Sequence, residues 1–440
     1  MSAGYVQAPR ARPRVVIVGG GFAGLSAARV LKRAPVDVLL LDRTNHHLFQ
    51  PLLYQVATSV LAATDITVPI RWALRKQRNT RVLMADVREV DVPRRVVRVD
   101  DDRREIPWDY LVLAAGARHS YFGHDDWEPV APGLKSIDDA LHIRNRFLLA
   151  FERAEKTPDE GERRALQTFV VVGGGPTGVE LAGMLPTIAT RTMKHEFRTI
   201  DPAQTRVILV EGGPRILPTF PEELATRARH DLEKLGVQVW TRSIVTGVDE
   251  RGVNMGDERL EARTVFWAAG NAASPLGRQL GVPVDRAGRV TVLPDLSIPG
   301  HPEVFVVGDL AAASSDGTPV PGVAPAANQQ GTQAARNIIR SIAGEPRLPF
   351  TYRDKGNLAT IGREYAVADF GRFRLTGRLA WWFWLFVHIM YLAGFRNRLS
   401  VLVEWAYAFL TYHRGSRLIT GVRAARPRGD QAPPPHVAPR

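Results

Sequence analysis

Arg14–Asp42 reads RVVIVGGGFAGLSAARVLKRAPVDVLLLD, and this stretch decides the fold. Residues 14–19 form a short apolar run rich in Val and Ile. Glycines follow, then a helical pattern from Phe22 to Leu31, then a second apolar run, Val36–Leu41, ending in Asp42. That order is strand, tight turn, helix, strand, the unit from which parallel sheets are built. Gly19, Gly21 and Gly24 make a G-x-G-x-x-G pattern directly after the first strand, with the acid about twenty residues on. The first glycine permits the turn, the second lets backbone approach a pyrophosphate, and the third lets the helix pack closely. The helix N-terminus supplies N–H groups and positive potential, and Asp42 would accept from ribose hydroxyls. A glycine-rich turn with no ligand is the competing explanation. The placement between strand and helix, with the acid in register, argues against it.

The same grammar restarts at Thr168. A strand Phe169–Val172 leads to Gly173, Gly175 and Gly178, a helix through Leu185, and a strand Arg206–Val210 ending in Glu211. An internal duplication of one nucleotide-binding unit is the simplest account. Glu211 lies further from its glycines than the pattern specifies, so an insertion over Pro186–Pro202 must lengthen the crossover. An acid at this position favours NADH over NADPH, whose extra phosphate it repels; Arg215 nearby pulls the other way. Two dinucleotide sites in one chain imply a relay, because nicotinamide gives hydride and a flavin accepts it. An oxidoreductase follows.

Outward from the two units, Arg81–Val87 and Arg95–Val99 alternate like a small antiparallel meander, followed by a strand-like Tyr110–Gly116. Residues 118–166 read as a connection. Val265–Gly270 and Val304–Asp309 are apolar runs ending in small or acidic residues, as strands do whose carboxyl ends face a ligand. The fold class is therefore α/β with two Rossmann-like units. A discontinuous FAD-binding unit over 14–118 and 285–345 holds an inserted NADH-binding unit over 165–284. A C-terminal region over 350–420 and a Pro- and Arg-rich, disordered tail over 423–440 complete the chain.

At 440 residues the chain exceeds what one core usually organises. Its formal charge of +13 calls for an anionic partner, which composition alone does not identify. It has no cysteine, which excludes disulfides, thiolate metal sites, iron–sulfur clusters and every dithiol mechanism. No histidine–carboxylate spacing argues for a metal. The N-terminus lacks the apolar core of a secretory signal, so a cytoplasmic location is expected.

Ala380–Phe395 is apolar all round and flanked by Arg372, Arg374, Arg378, Arg396 and Arg398. As a helix it would reach roughly 24 Å, short of a bilayer span. The composition fits an interfacial element with rings at headgroup level and guanidinium groups on anionic lipid phosphates. Leu399–Tyr412 adds further apolar surface. A homodimer interface or a core cover is the alternative use of the same residues. His388 reads as a satisfied helix histidine. Nucleic acid is disfavoured because these arginines are interleaved with tryptophan rather than set on a polar face.

These residues resemble the type II NADH:quinone oxidoreductases, over nearly the whole chain to about Thr420. The marks are GGGFAG at 19–24, HLFQPLLYQVA at 47–57, LVLAAGA at 111–117, VGGGPTGVE at 172–180, VVGDL at 306–310, PGVAPAANQQG at 321–331 and GNLATIGR at 356–363. The resemblance implies oxidation of NADH through FAD, without proton pumping, and two-electron reduction of a membrane quinone. It implies that Gly19, Gly21, Gly24 and Asp42 bind the FAD adenosine half, and that Gln55 and Ala115 line the ring or ribityl part. Gly308 and Asp309 would hold the phosphate and ribitol end. Gly173, Gly175, Gly178 and Glu211 would bind NADH. Glu180 matches a glutamate placed near nicotinamide and flavin; a carboxylate interacting with the helix dipole is the other account of it. The family's quinone signature, A-Q-x-A-x-Q-x-G, is met here by APAANQQG. Gln329 matches the second glutamine, and Pro325 stands where the first belongs. The resemblance also implies a membrane-facing tail, on the cytoplasmic side of the cell membrane. Cysteine-dependent relatives on this scaffold are excluded by composition. Reductases of small electron-carrier proteins and a flavin-based redox sensor without turnover remain as alternatives.

Overall fold

The computed structural model describes residues 12–391, 398–403, 405–406 and 417–420. The chain enters as β1 (Arg14–Val18), turns through the glycines into α1 (Phe22–Val30) and returns as β2 (Asp37–Asp42), parallel to β1. Val15, Val16, Ile17 and Val18 are all buried, as expected of a parallel strand covered on both faces. β3 (Thr80–Met84) pairs in parallel outside β2. Residues Arg81–Met84, which the alternating pattern assigns to a meander, thus belong to the parallel sheet. The meander is Val87–Asp91, Val96–Val99 and Arg104–Pro107. A strand read by side-chain alternation alone does not reveal its partner, and an edge strand of a parallel sheet alternates too. β4 (Tyr110–Leu113) closes on the other side of β1.

The connection over 118–166 is more than a linker. It carries the 20-residue α2 (Ile137–Lys156), started by Ser136 in a capping box with Asp139. Phe147 and Phe151 of α2 pack on Phe169 of the second unit. That unit runs β5 (Thr168–Val172), α3 (Pro176–Thr187), β6 (Arg206–Glu211), α4 (Glu222–Lys234), β7 (Val237–Thr241) and β8 (Thr264–Trp267). Its sheet order is β7-β6-β5-β8, the arrangement β3-β2-β1-β4 repeated. A second three-stranded meander, Gly247–Glu261, sits between its third and fourth strands, as in the first unit. The duplication therefore extends beyond the glycine loops. Past Pro186, a helical proline, α3 loosens into a π turn at Ile188–Thr192, and the crossover runs on to Pro202.

Ala273, Leu276 and Leu280 already pack under the first sheet, so the chain re-enters that unit before residue 285. β9 (His301–Val306) then pairs in parallel with β4. α5 (Ala324–Ile342) lies on α1, close enough that a Cβ at Gly331 would meet the Ala23 carbonyl oxygen at 2.0 Å. The C-terminal region begins with an antiparallel sheet, β10 (Asn357–Ile361), β11 (Tyr365–Asp369) and β12 (Arg374–Thr376), and continues as α6 (Gly377–Tyr391), the helical segment expected from Ala380 onward. Its first turn passes Gly362 at positive φ, against α3 at Gly183. Residues 423–440, expected to be disordered, lie outside the described residues.

The stretch 49–61 belongs to the first unit by position but not by packing. Leu52, Leu53, Val56 and Leu61 are buried with α2, α3 and the C-terminal sheet. Tyr54 Oη shares a 2.9 Å hydrogen bond with Thr360 Oγ1.

Candidate active site

The two glycine loops are built alike. Gly19 (φ +104°) and Gly173 (φ +109°) turn the chain where a side chain would strike the backbone of Ala114 and Ala268. A Cβ at Gly24 would lie 1.8 Å from the Gly19 carbonyl oxygen, and one at Gly178 1.9 Å from that of Gly173. A Cβ at Gly21 or at Gly175 would meet nothing within 4 Å. These two glycines are open towards the cleft, where a ligand's phosphates would approach. Each acid holds its own loop: Gly20 N–H donates to Asp42 Oδ2 and Gly174 N–H to Glu211 Oε2, both at 2.6 Å. The second oxygens accept from Thr44 N–H at 2.7 Å and Gly213 N–H at 2.6 Å. Glu211 lines the cleft. His47 Nδ1 sits 3.0 Å from the Gly20 carbonyl and, pushed down to about 4 by burial, stays neutral as a donor to it.

The helix N-termini carry the electrostatics. α1, α3 and α5 begin with no side-chain cap and no acid in the first turn, and the starts of all three line the cleft. α2 and α4, which start elsewhere, carry Asp138 and Asp139, or Glu222 and Glu223. Exposed N–H groups and positive helix ends thus converge on the cleft, which suits a pyrophosphate and a ring that gains charge.

The cleft is continuous, about 2160 Å³, and spans both loops, the carboxyl end of the first sheet (Ala114, Gly116, Ala117, Gly308, Asp309), Glu180, and Phe383, Val387, His388 and Tyr391 of α6. Gly308 (φ +73°) donates its N–H to the buried Gln330 Oε1 at 2.6 Å. Asp309 is pushed up by burial, against the pull of Lys135 and Arg289. Glu180, in the second turn of α3, is half-buried in the cleft wall, and desolvation there pushes its carboxyl up to about 8. The Thr360 N–H, 3.5 Å away, is too distant to offset that. A helix dipole would move it the other way, so desolvation decides: Glu180 is a neutral acid at pH 7.

Two expected contacts are placed differently. Gln55 does not reach the cleft: its Nε2 donates to Tyr54 Oη at 3.0 Å and its Oε1 accepts from Trp405 Nε1 at 2.7 Å. The wall there is Leu53 and Tyr54, because the short helix bearing them is turned into the second unit's core. At Ala115 the wall is formed by its neighbours Ala114, Gly116 and Ala117. Gln329 does line the cleft, but its amide is committed. Its Oε1 accepts from Arg353 N–H at 2.9 Å and its Nε2 donates to Arg353 O at 3.0 Å, pinning the segment after α5. Gln329→Ala should cost about 1 kcal/mol and speed proteolysis near residue 353, with flavin reduction by NADH unchanged. Lys135 is a cleft residue that no spacing rule marks, while Gln330, at an unspecified position within APAANQQG, holds the Gly308 turn from behind the cleft wall.

α6 presents three faces. Ala380, Trp384 and Ile389 are buried in the core, and Phe383 and Val387 line the cleft. Leu379, Trp382, Phe386 and Met390 are between 51% and 66% exposed, at helical spacing along one stripe. Among the described residues no helix is long and apolar enough to cross a membrane. His388 Nδ1 donates to Trp384 O at 2.8 Å, as a satisfied helix histidine does, and burial holds it at about 4. Arg378 pairs with Glu364, and Arg374 with Glu223 and Asp369, so these two arginines already have anionic partners in the protein. Arg396 lies outside the described residues.

Paired glycine loops facing one cleft define a two-dinucleotide flavoprotein. A family profile described as pyridine nucleotide-disulphide oxidoreductase matches residues 13–331, and one described as NDH2 C-terminal domain matches residues 355–412. The chain is 48% identical over 440 aligned residues to the type II NADH:quinone oxidoreductase Ndh of Mycobacterium tuberculosis, covering 97% of this chain and 94% of that protein. It is 46% identical to NdhA of the same organism, covering 96% and 92%. Among solved structures, NDH2 from Plasmodium falciparum in complex with NADH superposes with a TM-score of 0.83 at 22% identity, covering 92% of this chain and 99% of that one. The sulfide:quinone oxidoreductase of Aquifex aeolicus shares the fold at a TM-score of 0.70 and 19% identity, covering 88% and 92%. The chain belongs to the type II NADH:quinone oxidoreductases, with FAD and NADH as cofactors.

Proposed function

We propose that this chain oxidises NADH on FAD and reduces a membrane quinone that enters the same cleft at α6. The carrying observation is the continuity of the cleft from both glycine loops to the apolar wall of Phe350, Leu358, Phe383 and Val387. In this reading Gly19, Gly21, Gly24 and Asp42 hold the FAD adenosine half. Ala114, Gly116, Ala117, Gly308 and Asp309 face its ring and ribitol, and Gly173, Gly175, Gly178 and Glu211 hold NADH. Bound FAD supplies the chemistry by accepting hydride and yielding an electron pair. The chain's own work is to position the rings, exclude water and keep a proton on Glu180 within the cleft. Pro325 lines the quinone end in place of the family's glutamine, so shape rather than a side-chain amide contacts the quinone there. Anaerobic stopped-flow absorbance tests the reading. NADH should bleach the flavin, and a menaquinone or ubiquinone analogue should restore it. Bleaching without return would move the acceptor to a carrier protein, and a colourless protein would remove the flavin.

The Leu379–Met390 stripe is the docking face for the cytoplasmic leaflet of the cell membrane. Rings and aliphatic tips, rather than ion-paired Arg374 and Arg378, provide the contact. Phe386→Glu should lower co-sedimentation with anionic phospholipid vesicles at least several-fold while leaving flavin bleaching by NADH intact. If vesicle binding persists and the mass in solution halves instead, the stripe joins two copies of this chain.

A further inference from the structure

Lys135 stands between the two units, and its backbone is fixed from both sides. Trp267 N–H donates to Pro132 O at 2.9 Å, and Gly133 bridges Trp267 on β8. The His119 ring fills the space beside Gly133, where a Cβ would lie 2.3 Å from it. Lys135 N–H and Ser136 N–H both donate to Asp139 Oδ2, at 3.0 and 2.8 Å. From this clamped position the side chain enters the cleft on the wall it shares with Leu134, Gly308 and Asp309. Among the described residues its Nζ has no hydrogen-bond partner. Burial pulls its pKa down, while Asp309 and Asp139 work in the opposite sense.

A half-buried cation presented into a cleft from a clamped backbone, with no hydrogen-bond acceptor among the described residues, is placed for a ligand atom. The start of α5, Val323 and Ala324, lines the same cleft and is the second positive source there. We propose that Lys135 sets the potential of the bound FAD, its ammonium facing the ring system at the carboxyl ends of β4 and β9. Hydride transfer from NADH brings two electrons and one proton to the ring, which leaves the reduced form one negative charge richer until a second proton arrives. A fixed cation stabilises that form relative to the oxidised one, and the pair of electrons then leaves to the acceptor. The proposal rests on FAD lying at the first glycine loop, and goes beyond it by giving the linker lysine a direct part in tuning the cofactor.

The test is a spectroelectrochemical titration of the bound flavin in the wild-type chain, Lys135→Met and Lys135→Arg. In Lys135→Met the preference for reduced over oxidised FAD should fall about tenfold, a drop of about 30 mV for a two-electron couple. Lys135→Arg, which keeps the charge, should stay near the wild-type value. If Lys135→Met loses its flavin on purification, the same ratio is read from separate anaerobic titrations of the apoprotein with oxidised and reduced FAD. An unchanged ratio in Lys135→Met overturns the proposal, and so does an equal fall in Lys135→Arg. None of these readings involves quinone, so failure of the quinone assignment is seen separately, in the stopped-flow experiment.

Discussion

Gly175→Asp is expected to give a yellow protein that NADH no longer bleaches. The side chain has room, since a Cβ at Gly175 meets nothing within 4 Å, so folding should change by under about 0.5 kcal/mol. The space it fills is the open start of α3, where there is neither cap nor acid. A carboxylate there takes the place of the dinucleotide's phosphates and cancels the positive helix end. NADH affinity should fall about hundredfold or more, read as the NADH concentration that half-bleaches the flavin. Dithionite should still reduce it. The sister substitution Gly21→Asp, equally open, should give a folded but colourless chain. A colourless Gly175→Asp together with a yellow Gly21→Asp would reverse the assignment of the loops.

The second large effect concerns Glu180. With its carboxyl pushed up to about 8, the protonated form predominates at pH 7 and is lost as pH rises through that value. If this proton is delivered when the acceptor is reduced, quinone-driven reoxidation should decline above about pH 8. Glu180→Gln has no proton to give, so its reoxidation should be slower by about a hundredfold and flat with pH across that window. NADH-driven bleaching, which needs no acid, should be nearly unaffected. A wild-type rate without an inflection near pH 8 would remove Glu180 from the proton route and leave it a structural acid of the cleft wall.

Much of the site was legible because glycine loops state their geometry in sequence. Gly19 and Gly24 have to be glycine for reasons that strand, turn and helix spacing already imply, and Asp42 and Glu211 fall at strand ends where they bond their own loops. Legibility failed where a residue's neighbour comes from a distant part of the chain. Arg81–Met84 alternates like a meander, yet its partner is β2. Gln55 sits in a family mark, yet it faces Trp405. The C-terminal sheet was hidden because Asn357–Ile361 and Tyr365–Asp369 are short and joined by a glycine turn, and the aromatic run after them dominates the composition. Lys135 carries no motif, and only the folded chain brings it to the cleft wall that Asp309 also lines.

The cross-unit wedge at residues 49–61 bears on how the polypeptide reaches its native state. These side chains leave the ribosome early, but Tyr54 bonds to Thr360, 306 positions later, and Gln55 to Trp405, 350 positions later. Until the C-terminal sheet has been synthesised, Leu52, Leu53 and Val56 have no complete core to enter. Long-range closure of this kind slows folding and leaves apolar surface exposed to aggregation during translation. The amino-terminal unit is therefore a poor candidate for expression alone, and chaperone supply should limit the yield of the whole chain.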